Sequence, residues 1–128
     1  MTTLVVDSYA WVEYLDGSFK GERVEALLEE ATEAYTPTPV VAEVTSKTIR
    51  SGKDPAVAFQ VLRSWSILLP LDVETARAAG GLHATYRNRV PDFAMTDAVV
   101  LAVARKLEAR VVTGDPHFRG MRGVEFLA

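Results

Sequence analysis

The sequence predicts an α/β fold, a three-layer α/β/α sandwich with a mainly parallel sheet of four to five strands. Short apolar runs alternate with longer segments of helical periodicity, and only short turns separate them. The apolar runs do not alternate with polar residues, which is typical of parallel strands buried on both faces. The chain has 128 residues, 48% of them hydrophobic, so residues 1–128 are expected to form a single domain with its own core.

The predicted strands are residues 4–6, 34–36, 67–69, 110–113 and 124–127, the last at an edge of the sheet. The predicted helices are residues 8–15, 22–31, 39–51, 55–66 and 73–89, followed by one between Phe93 and a turn at Glu108. Helix starts are expected at Asp7 or Ser8, at Thr38 before Pro39, at Asp54 before Pro55 and at Asp92, because these side chains can cap a first turn. The pair Gly80-Gly81 predicts a kink or a break in its helix.

Composition narrows the function classes. The chain has no cysteine, which excludes disulfides and thiolate metal sites and is typical of a cytoplasmic protein. No apolar run is as long as a membrane span, so no membrane association is expected. The net charge is 14 − 17 = −3, which argues against a protein that binds nucleic acid over its whole surface.

Asp97 interrupts the most apolar helix of the chain. Val100, Leu101 and Ala104 lie three, four and seven residues after it, so Asp97 stands at the head of an apolar stripe. A carboxylate in that position is costly unless another group compensates it. Asp115, just after the strand that follows, is the expected neighbour. Two adjacent acids repel each other, and a bound cation is the usual reason for such an arrangement.

Four acids are expected to meet at one edge of the sheet. Asp7 ends the first strand, Asp115 follows the fourth, Asp97 lies early in a helix, and Glu43 lies early in the helix after the second strand. In parallel sheets, ligands bind at the carboxyl ends of the strands, near the point where the strand order reverses. Convergence of these segments at that edge therefore predicts a binding site rich in carboxylates.

Each acid also has a purely structural explanation. Asp7 can cap a helix, Asp115 can form a turn before a proline, and Asp97 can complement a helix dipole. Glu43 precedes Lys47 by four residues, the spacing of a helical ion pair. Taken singly, these explanations are adequate for most of the four. The functional interpretation rests on their joint placement at strand ends and helix starts.

Three segments resemble the acidic motifs of PIN-domain ribonucleases, particularly the VapC-type toxins of prokaryotic toxin–antitoxin pairs. They are VVDSYAWVEYL, VVAEV and MTDAVVLAVARKLEARVVTGDPHF. The third is the most specific, a helix led by aspartate and then a strand that ends Thr-x-Asp-x-x-Phe, whereas the glutamate motif is weak by itself. The resemblance places the four acids of the family on Asp7, Glu43, Asp97 and Asp115. It also assigns supporting hydroxyl groups to Thr113 and Ser8.

The resemblance implies a metal-dependent endoribonuclease that hydrolyses RNA phosphodiester bonds, the toxin of a type II pair. Carboxylates without thiolates favour Mg²⁺ or Mn²⁺, and one or two ions are expected. Lys47 and Arg50 share a helical face with Glu43, so they are candidate contacts for RNA phosphates, and His117 is another substrate candidate. The family further implies a homodimer and a cognate antitoxin protein that covers the acidic site.

Other classes fit the sequence less well. A receiver domain requires adjacent acids after its first strand, and a haloacid-dehalogenase-like phosphatase requires a second aspartate where Tyr9 stands. No glycine-rich phosphate loop is present. The main alternative is a PIN-like module that binds RNA or protein without catalysis. The presence of all four acids argues against this alternative.

Overall fold

The computed structural model describes residues 2–128, which form a five-stranded, all-parallel sheet in the order β3-β2-β1-β4-β5. The strands are β1 (Thr3–Val6), β2 (Glu33–Pro37), β3 (Ile67–Leu69), β4 (Arg110–Thr113) and β5 (Val124–Phe126). The helices are α1 (Ser8–Asp16), α2 (Phe19–Glu30), α3 (Thr38–Arg50), α4 (Pro55–Trp65), α5 (Val73–Tyr86) and α6 (Met95–Leu107). The predicted α/β class, the parallel sheet and the edge position of the last strand are confirmed.

The order of the strands shows where along the sheet a ligand is expected to bind. From β1 the chain moves through β2 to β3 on one side, and then returns to place β4 and β5 on the other side of β1. Right-handed crossovers put α1–α4 on one face and α5–α6 on the opposite face, which gives the three layers. The strand order reverses between β1 and β4, and the carboxyl ends of these two strands are where a ligand is expected.

The core explains why α6 is so apolar. Seven consecutive residues of α6, from Ala98 to Ala104, are buried, and the helix contacts β1, β2 and β4 as well as α5. Leu4, Val5 and Val6 of the central strand are fully buried too. An element covered on all sides has no polar face, so its sequence lacks the usual amphipathic pattern. None of the helices formed by residues 2–128 has the length and apolarity needed to cross a membrane.

Two predicted helix caps are present. Asp7 precedes α1, and its Oδ1 accepts a hydrogen bond from the Ala10 amide at 2.9 Å. Asp54 precedes α4, and its Oδ1 accepts from the Ala56 amide at 2.9 Å, with Pro55 in the first turn. Both acids satisfy amide groups that a helix start leaves without a partner.

The predicted cap at Thr38 is wrong. Pro37 is the residue that precedes α3, and Thr38 is the first helical residue. The Thr38 hydroxyl instead accepts a hydrogen bond from the Leu71 amide at 3.3 Å, which ties the start of α3 to the loop after β3. A contact with a segment more than thirty residues away replaces the local one that the sequence suggested.

Two further expectations around α5 and α6 are wrong. The helix α5 runs without a break through Gly80 and Gly81, and it packs along α6. Interior glycines cost only about 1 kcal/mol each, which tertiary packing outweighs. Asp92 is not a helix cap, because Ala94 precedes α6 and Asp92 lies in a turn at φ +61°.

Candidate metal centre

Asp7 directly follows β1, the central strand, and lies beside β4. Its amide donates to the Val112 carbonyl at 3.3 Å, which continues the pairing of β1 with β4. Its side chain is buried, and this burial raises the pKa of the carboxyl from 3.8 to about 7. Hydrogen bonds from the Thr113 hydroxyl and the Ala10 amide act in the opposite direction, while the negative charges of Asp115 and Asp97 raise the pKa further.

Thr113 connects Asp7 to Asp115. It ends β4, is fully buried, and its Oγ1 accepts a hydrogen bond from the Asp115 amide at 3.0 Å. The same hydroxyl lies near the Asp7 carboxyl and lowers its pKa. Thr113 therefore lies between the loop after β4 and the side chain that follows β1.

A 3-10 turn, Pro116–Phe118, brings His117 back toward the acids. Asp115 begins this turn, and its Oδ1 accepts from the His117 amide at 2.9 Å. The His117 Nδ1 then lies 2.7 Å from Asp97 Oδ2 and 3.3 Å from Asp115 Oδ1. The imidazole therefore touches two of the four predicted acids.

Asp97 is the third residue of α6 and is oriented by the start of its own helix. Its Oδ2 accepts from the Ala94 amide at 2.8 Å, as in a capping box, although alanine has no side-chain acceptor for the reciprocal bond. Burial raises the pKa of the Asp97 carboxyl, and the negative charge of Asp115 adds to this increase. The hydrogen bonds from Ala94 and His117 lower the same pKa.

Asp97, Asp115 and His117 form a compact group of possible ligands. One ligand atom from each lies within 4.8 Å of the other two. Their side chains are 13%, 27% and 26% exposed, so the group is partly buried but open to solvent. Carboxylate oxygens suit hard divalent cations, and one imidazole nitrogen is compatible with a transition metal. The donor set therefore fits a divalent metal ion.

Three of the four predicted acids each use one carboxylate oxygen to fix their own orientation. Asp7 Oδ1, Asp97 Oδ2 and Asp115 Oδ1 each accept from a backbone amide. Asp97 Oδ1 and Asp115 Oδ2 accept no hydrogen bond from any group within residues 2–128. The structural roles inferred from sequence are thus real, and they leave an oxygen of Asp97 and one of Asp115 available to a ligand.

Glu43 lies outside this compact group. It is the sixth residue of α3 and is half-buried. Across the described part of the chain its carboxylate takes part in no hydrogen bond and no ion pair, including the pair with Lys47 that the spacing suggested. The structural explanation offered for Glu43 is therefore not realised.

The two basic residues predicted to bind RNA lie beyond Glu43 on α3. Lys47 lines a cavity together with Asp16 and Lys53, whose side chains are 2.8 Å apart. Asp16 ends α1, whose first residue follows Asp7, so this cavity lies about 13 Å along that helix from the acidic edge. Arg50 is exposed, and its Nε donates to Ser46 Oγ at 3.3 Å. The structure does not bring either cation to the compact group.

Ser8 is the first residue of α1 and is half-buried. Within residues 2–128 its hydroxyl makes no hydrogen bond, in contrast to the hydroxyl of Thr113. Of the two predicted supporting hydroxyl groups, only Thr113 is therefore seen in contact with the acids.

Sequence reasoning missed two supports of the site. The Phe93 ring is buried, and its centroid lies 6.5 Å from that of His117, with the two rings edge to face. The Tyr9 ring packs so closely on Gly114 that a side chain at that position would overlap it. The only sequence signals were an aromatic residue just before α6 and a glycine between Thr113 and Asp115.

The chain belongs to the PIN domain family, whose sequence profile matches residues 4–124. No curated protein sequence matches the chain. The fold is that of VapC toxins, as several solved structures indicate.

The first of these structures is a toxin–antitoxin complex from Klebsiella pneumoniae, which has 16% sequence identity and a TM-score of 0.78, with 98% of both chains covered. VapC20 of Mycobacterium tuberculosis, described as a sarcin-ricin loop cleaving toxin, has 17% identity and a TM-score of 0.80, with 98% of this chain and 99% of that chain covered. VapBC2 of Rickettsia felis, bound to a DNA fragment from its promoter, has 14% identity and a TM-score of 0.76, covering 99% and 100%. At these identities the likeness concerns the fold.

Proposed function

We propose that this PIN-domain protein is a metal-dependent endoribonuclease and the toxin of a type II toxin–antitoxin pair. One observation carries the proposal. Asp97, Asp115 and His117 present ligand atoms within 4.8 Å of one another, beside the buried Asp7, at the point where the strand order reverses. A structural cluster of acids would be better paired with cations, and among residues 2–128 no lysine or arginine forms an ion pair with these three aspartates.

The proposed centre holds one or two Mg²⁺ or Mn²⁺ ions through Asp7, Asp97 and Asp115, with Glu43 as the fourth carboxylate. When bound there, such an ion would supply positive charge beside the phosphate and would make a bound water molecule more acidic. The buried Thr113 keeps Asp7 and the Asp115 loop in register. Glu43, whose carboxylate has no polar partner among residues 2–128, is proposed to orient the attacking water. No nucleophilic side chain is needed for this hydrolysis.

RNA is the proposed substrate, and Lys47 and Arg50 are proposed to contact its phosphates away from the scissile bond. Both lie on α3, four and seven residues beyond Glu43, so a strand that passes along this helix would meet them. VapC20, one of the similar structures, is named for cleaving the sarcin-ricin loop. A structured RNA is accordingly the substrate class to test first.

The proposed partners are an antitoxin protein and a second copy of this chain. Structures with the same fold were solved as toxin–antitoxin complexes. If the chain is a toxin, its expression should arrest bacterial growth, and co-expression of the antitoxin encoded beside it should restore growth. A toxin with Asp97→Asn should not arrest growth at the same expression level.

A mixed RNA pool gives the direct test. The purified protein should cleave this RNA pool in the presence of Mg²⁺ or Mn²⁺, and cleavage should stop when a chelator is added. The double variant Asp97→Asn/Asp115→Asn, purified in the same way, controls for contaminating ribonuclease. RNA binding by the wild type without any metal-dependent cleavage would contradict the proposal and would favour a non-catalytic binding module.

A further inference from the structure

We propose that His117 is itself a ligand of the metal ion, and that its nitrogen makes this centre prefer Mn²⁺ over Mg²⁺. The inference rests on the proposed metal centre and specifies which ion that centre takes. It changes the role expected for His117 from the sequence, which was contact with the substrate.

The spacing of the atoms supports ligation by His117. Around an ion with ligands at about 2.1 Å, neighbouring ligand atoms of an octahedron are about 3.0 Å apart. The His117 Nδ1 lies 2.7 Å from Asp97 Oδ2 and 3.3 Å from Asp115 Oδ1. These two distances bracket the expected spacing. On binding an ion, Nδ1 would give up its hydrogen bond to Asp97 Oδ2, and small side-chain rotations would bring the available Oδ1 of Asp97 and Oδ2 of Asp115 to the same ion.

The His117 imidazole is oriented toward the two carboxylates before any metal binds. The 3-10 turn that carries it is closed by the bond from the His117 amide to Asp115 Oδ1 at 2.9 Å. The Phe93 ring supports the imidazole with its centroid at 6.5 Å. A ligand fixed in advance loses little conformational freedom on binding, which favours ligation.

Ligand chemistry then decides the ion. Mg²⁺ takes oxygen ligands almost exclusively and gives up its water reluctantly, so an imidazole adds little to its binding. Transition metals accept imidazole nitrogen more readily, and Mn²⁺ is the member of that series that also binds well to carboxylates. With His117 beside two carboxylates, the centre should bind Mn²⁺ more tightly than an all-carboxylate centre would, and gain little for Mg²⁺.

The competing role for His117 is that of a positioning residue, which only donates a hydrogen bond to Asp97. The two roles predict different effects of His117→Asn, which retains an amide donor at the same position. Loss of a ligand should lower Mn²⁺ affinity by about 10-fold or more and leave Mg²⁺ affinity within about 2-fold, because only Mn²⁺ gains from the nitrogen. Loss of a positioning contact should lower the affinity for both ions by the same factor, by about 10-fold or more.

The experiment measures binding of Mn²⁺ and of Mg²⁺ by calorimetry at pH 8, without RNA, for the wild type, His117→Asn and His83→Asn. His83 is the other histidine of the chain, its ring stacks on Phe93 at 6.4 Å, and its replacement is the matched control. Electron spin echo spectroscopy of bound Mn²⁺ adds a direct readout. Coupling to an imidazole nitrogen should appear in the wild type and in His83→Asn, and disappear in His117→Asn.

The outcomes separate this inference from the proposed function. Mn²⁺ that binds without nitrogen coupling, or equal losses for Mn²⁺ and Mg²⁺ in His117→Asn, would overturn the role of His117 while leaving the metal centre intact, provided that Asp97→Asn still abolishes binding. A wild-type protein that binds neither ion would overturn both. Melting curves in chelator would show whether each variant is folded before its affinity is compared.

Discussion

Asp97 and Glu43 both lie early in a helix, yet the fold treats them differently. The Asp97 side chain is 13% exposed, accepts from the Ala94 amide and contacts His117. Glu43 lies one turn further into its helix, is half-buried, and has no polar partner among residues 2–128. The Asp97 carboxylate is therefore oriented within a group of possible ligands, whereas the Glu43 carboxylate lies outside that group.

The difference follows from where each helix begins. The helix α6 starts beside the loop after β4, and that loop supplies Asp115 and His117. The helix α3 starts after β2, one strand further from the point where the strand order reverses. Proximity to that point therefore brings Asp97, and not Glu43, into the group formed with the loop after β4. We infer that Asp97 holds the metal ion and that Glu43 acts mainly on water or substrate.

The strongest test of this comparison replaces each acid by its amide. Asp97→Asn should lower metal-dependent RNA cleavage by at least about 10³-fold, which corresponds to about 4 kcal/mol in the activation barrier. The fold should persist, because Asn retains an acceptor for the Ala94 amide. Cleavage rates with Mn²⁺, together with melting curves, check both statements. Undiminished cleavage would show that Asp97 is not part of the centre.

Glu43→Gln provides the other half of the comparison. It should also reduce cleavage, because the proposed orientation of water is lost. It should leave the stabilisation by Mn²⁺ close to that of the wild type, because the compact group of Asp97, Asp115 and His117 is intact. If both variants lose the response to Mn²⁺ equally, the two acids are equivalent ligands and the distinction drawn here is wrong.

The pH dependence of stability tests the burial of Asp7. Its pKa is raised from 3.8 to about 7 in the folded protein, so the folded state binds more protons than the unfolded state between these values. The contribution of Asp7 to stability without metal is therefore fully present below pH 4. This contribution is lost as the pH rises through about 7. At about 1.4 kcal/mol for each pKa unit, the total is a few kcal/mol at most.

Asp7→Asn should remove most of that slope, as measured by denaturant unfolding in chelator from pH 4 to pH 8. The Asn side chain keeps an acceptor for the Ala10 amide, so the cap of α1 is maintained. Saturating Mn²⁺ should oppose the slope in the wild type, because the ion binds the ionised carboxylates. An equal slope in Asp7→Asn would mean that other groups cause it.

The sequence predicted most of the fold because local signals were strong. The run Leu4-Val5-Val6 and the pair Asp54-Pro55 each indicated an element that the structure contains. Of the four acids predicted to converge, Asp97 and Asp115 lie in one compact group and their charges act on Asp7, whereas Glu43 lies outside it. The proximity of the first three was predictable because parallel strands end at a common edge. These inferences depend only on strand order and chain direction, which the pattern of elements determines.

What the sequence did not predict depends on contacts between distant segments. The Thr38 hydroxyl bonds to the loop after β3 rather than to its own helix. The position of His117 depends on a 3-10 turn that contains Pro116 and in which the Asp115 carboxylate accepts a hydrogen bond from the His117 amide. The apolar periodicities that reveal helices and strands carry no information about the direction of such a turn. That Glu43 and Lys47 form no ion pair within residues 2–128 could not be predicted either, because their spacing permits an ion pair without requiring it.

The basic part of α3 extends the comparison to the substrate. Replacing Lys47 and Arg50 by Ala should weaken RNA binding at 0.1 M salt by about 10-fold. It should also reduce the slope of log affinity against log salt by about 1.4, because each of the two phosphate contacts contributes about 0.7 for single strands. The matched control is Arg63→Ala/Arg77→Ala, two exposed arginines on α4 and α5. Equal slopes in the two double variants would place the RNA path elsewhere.

Thermal melting of the wild type and Asp115→Asn at pH 8, in chelator and in Mn²⁺, shows without any RNA whether these carboxylates converge on a cation. Removing one charge should then raise the melting temperature without metal, by roughly the effect of 1 kcal/mol, while Asn keeps the acceptor for the His117 amide. Mn²⁺ should stabilise the wild type clearly and the variant much less. A variant that is neutral or less stable in chelator, and that responds to Mn²⁺ as the wild type does, would contradict the account.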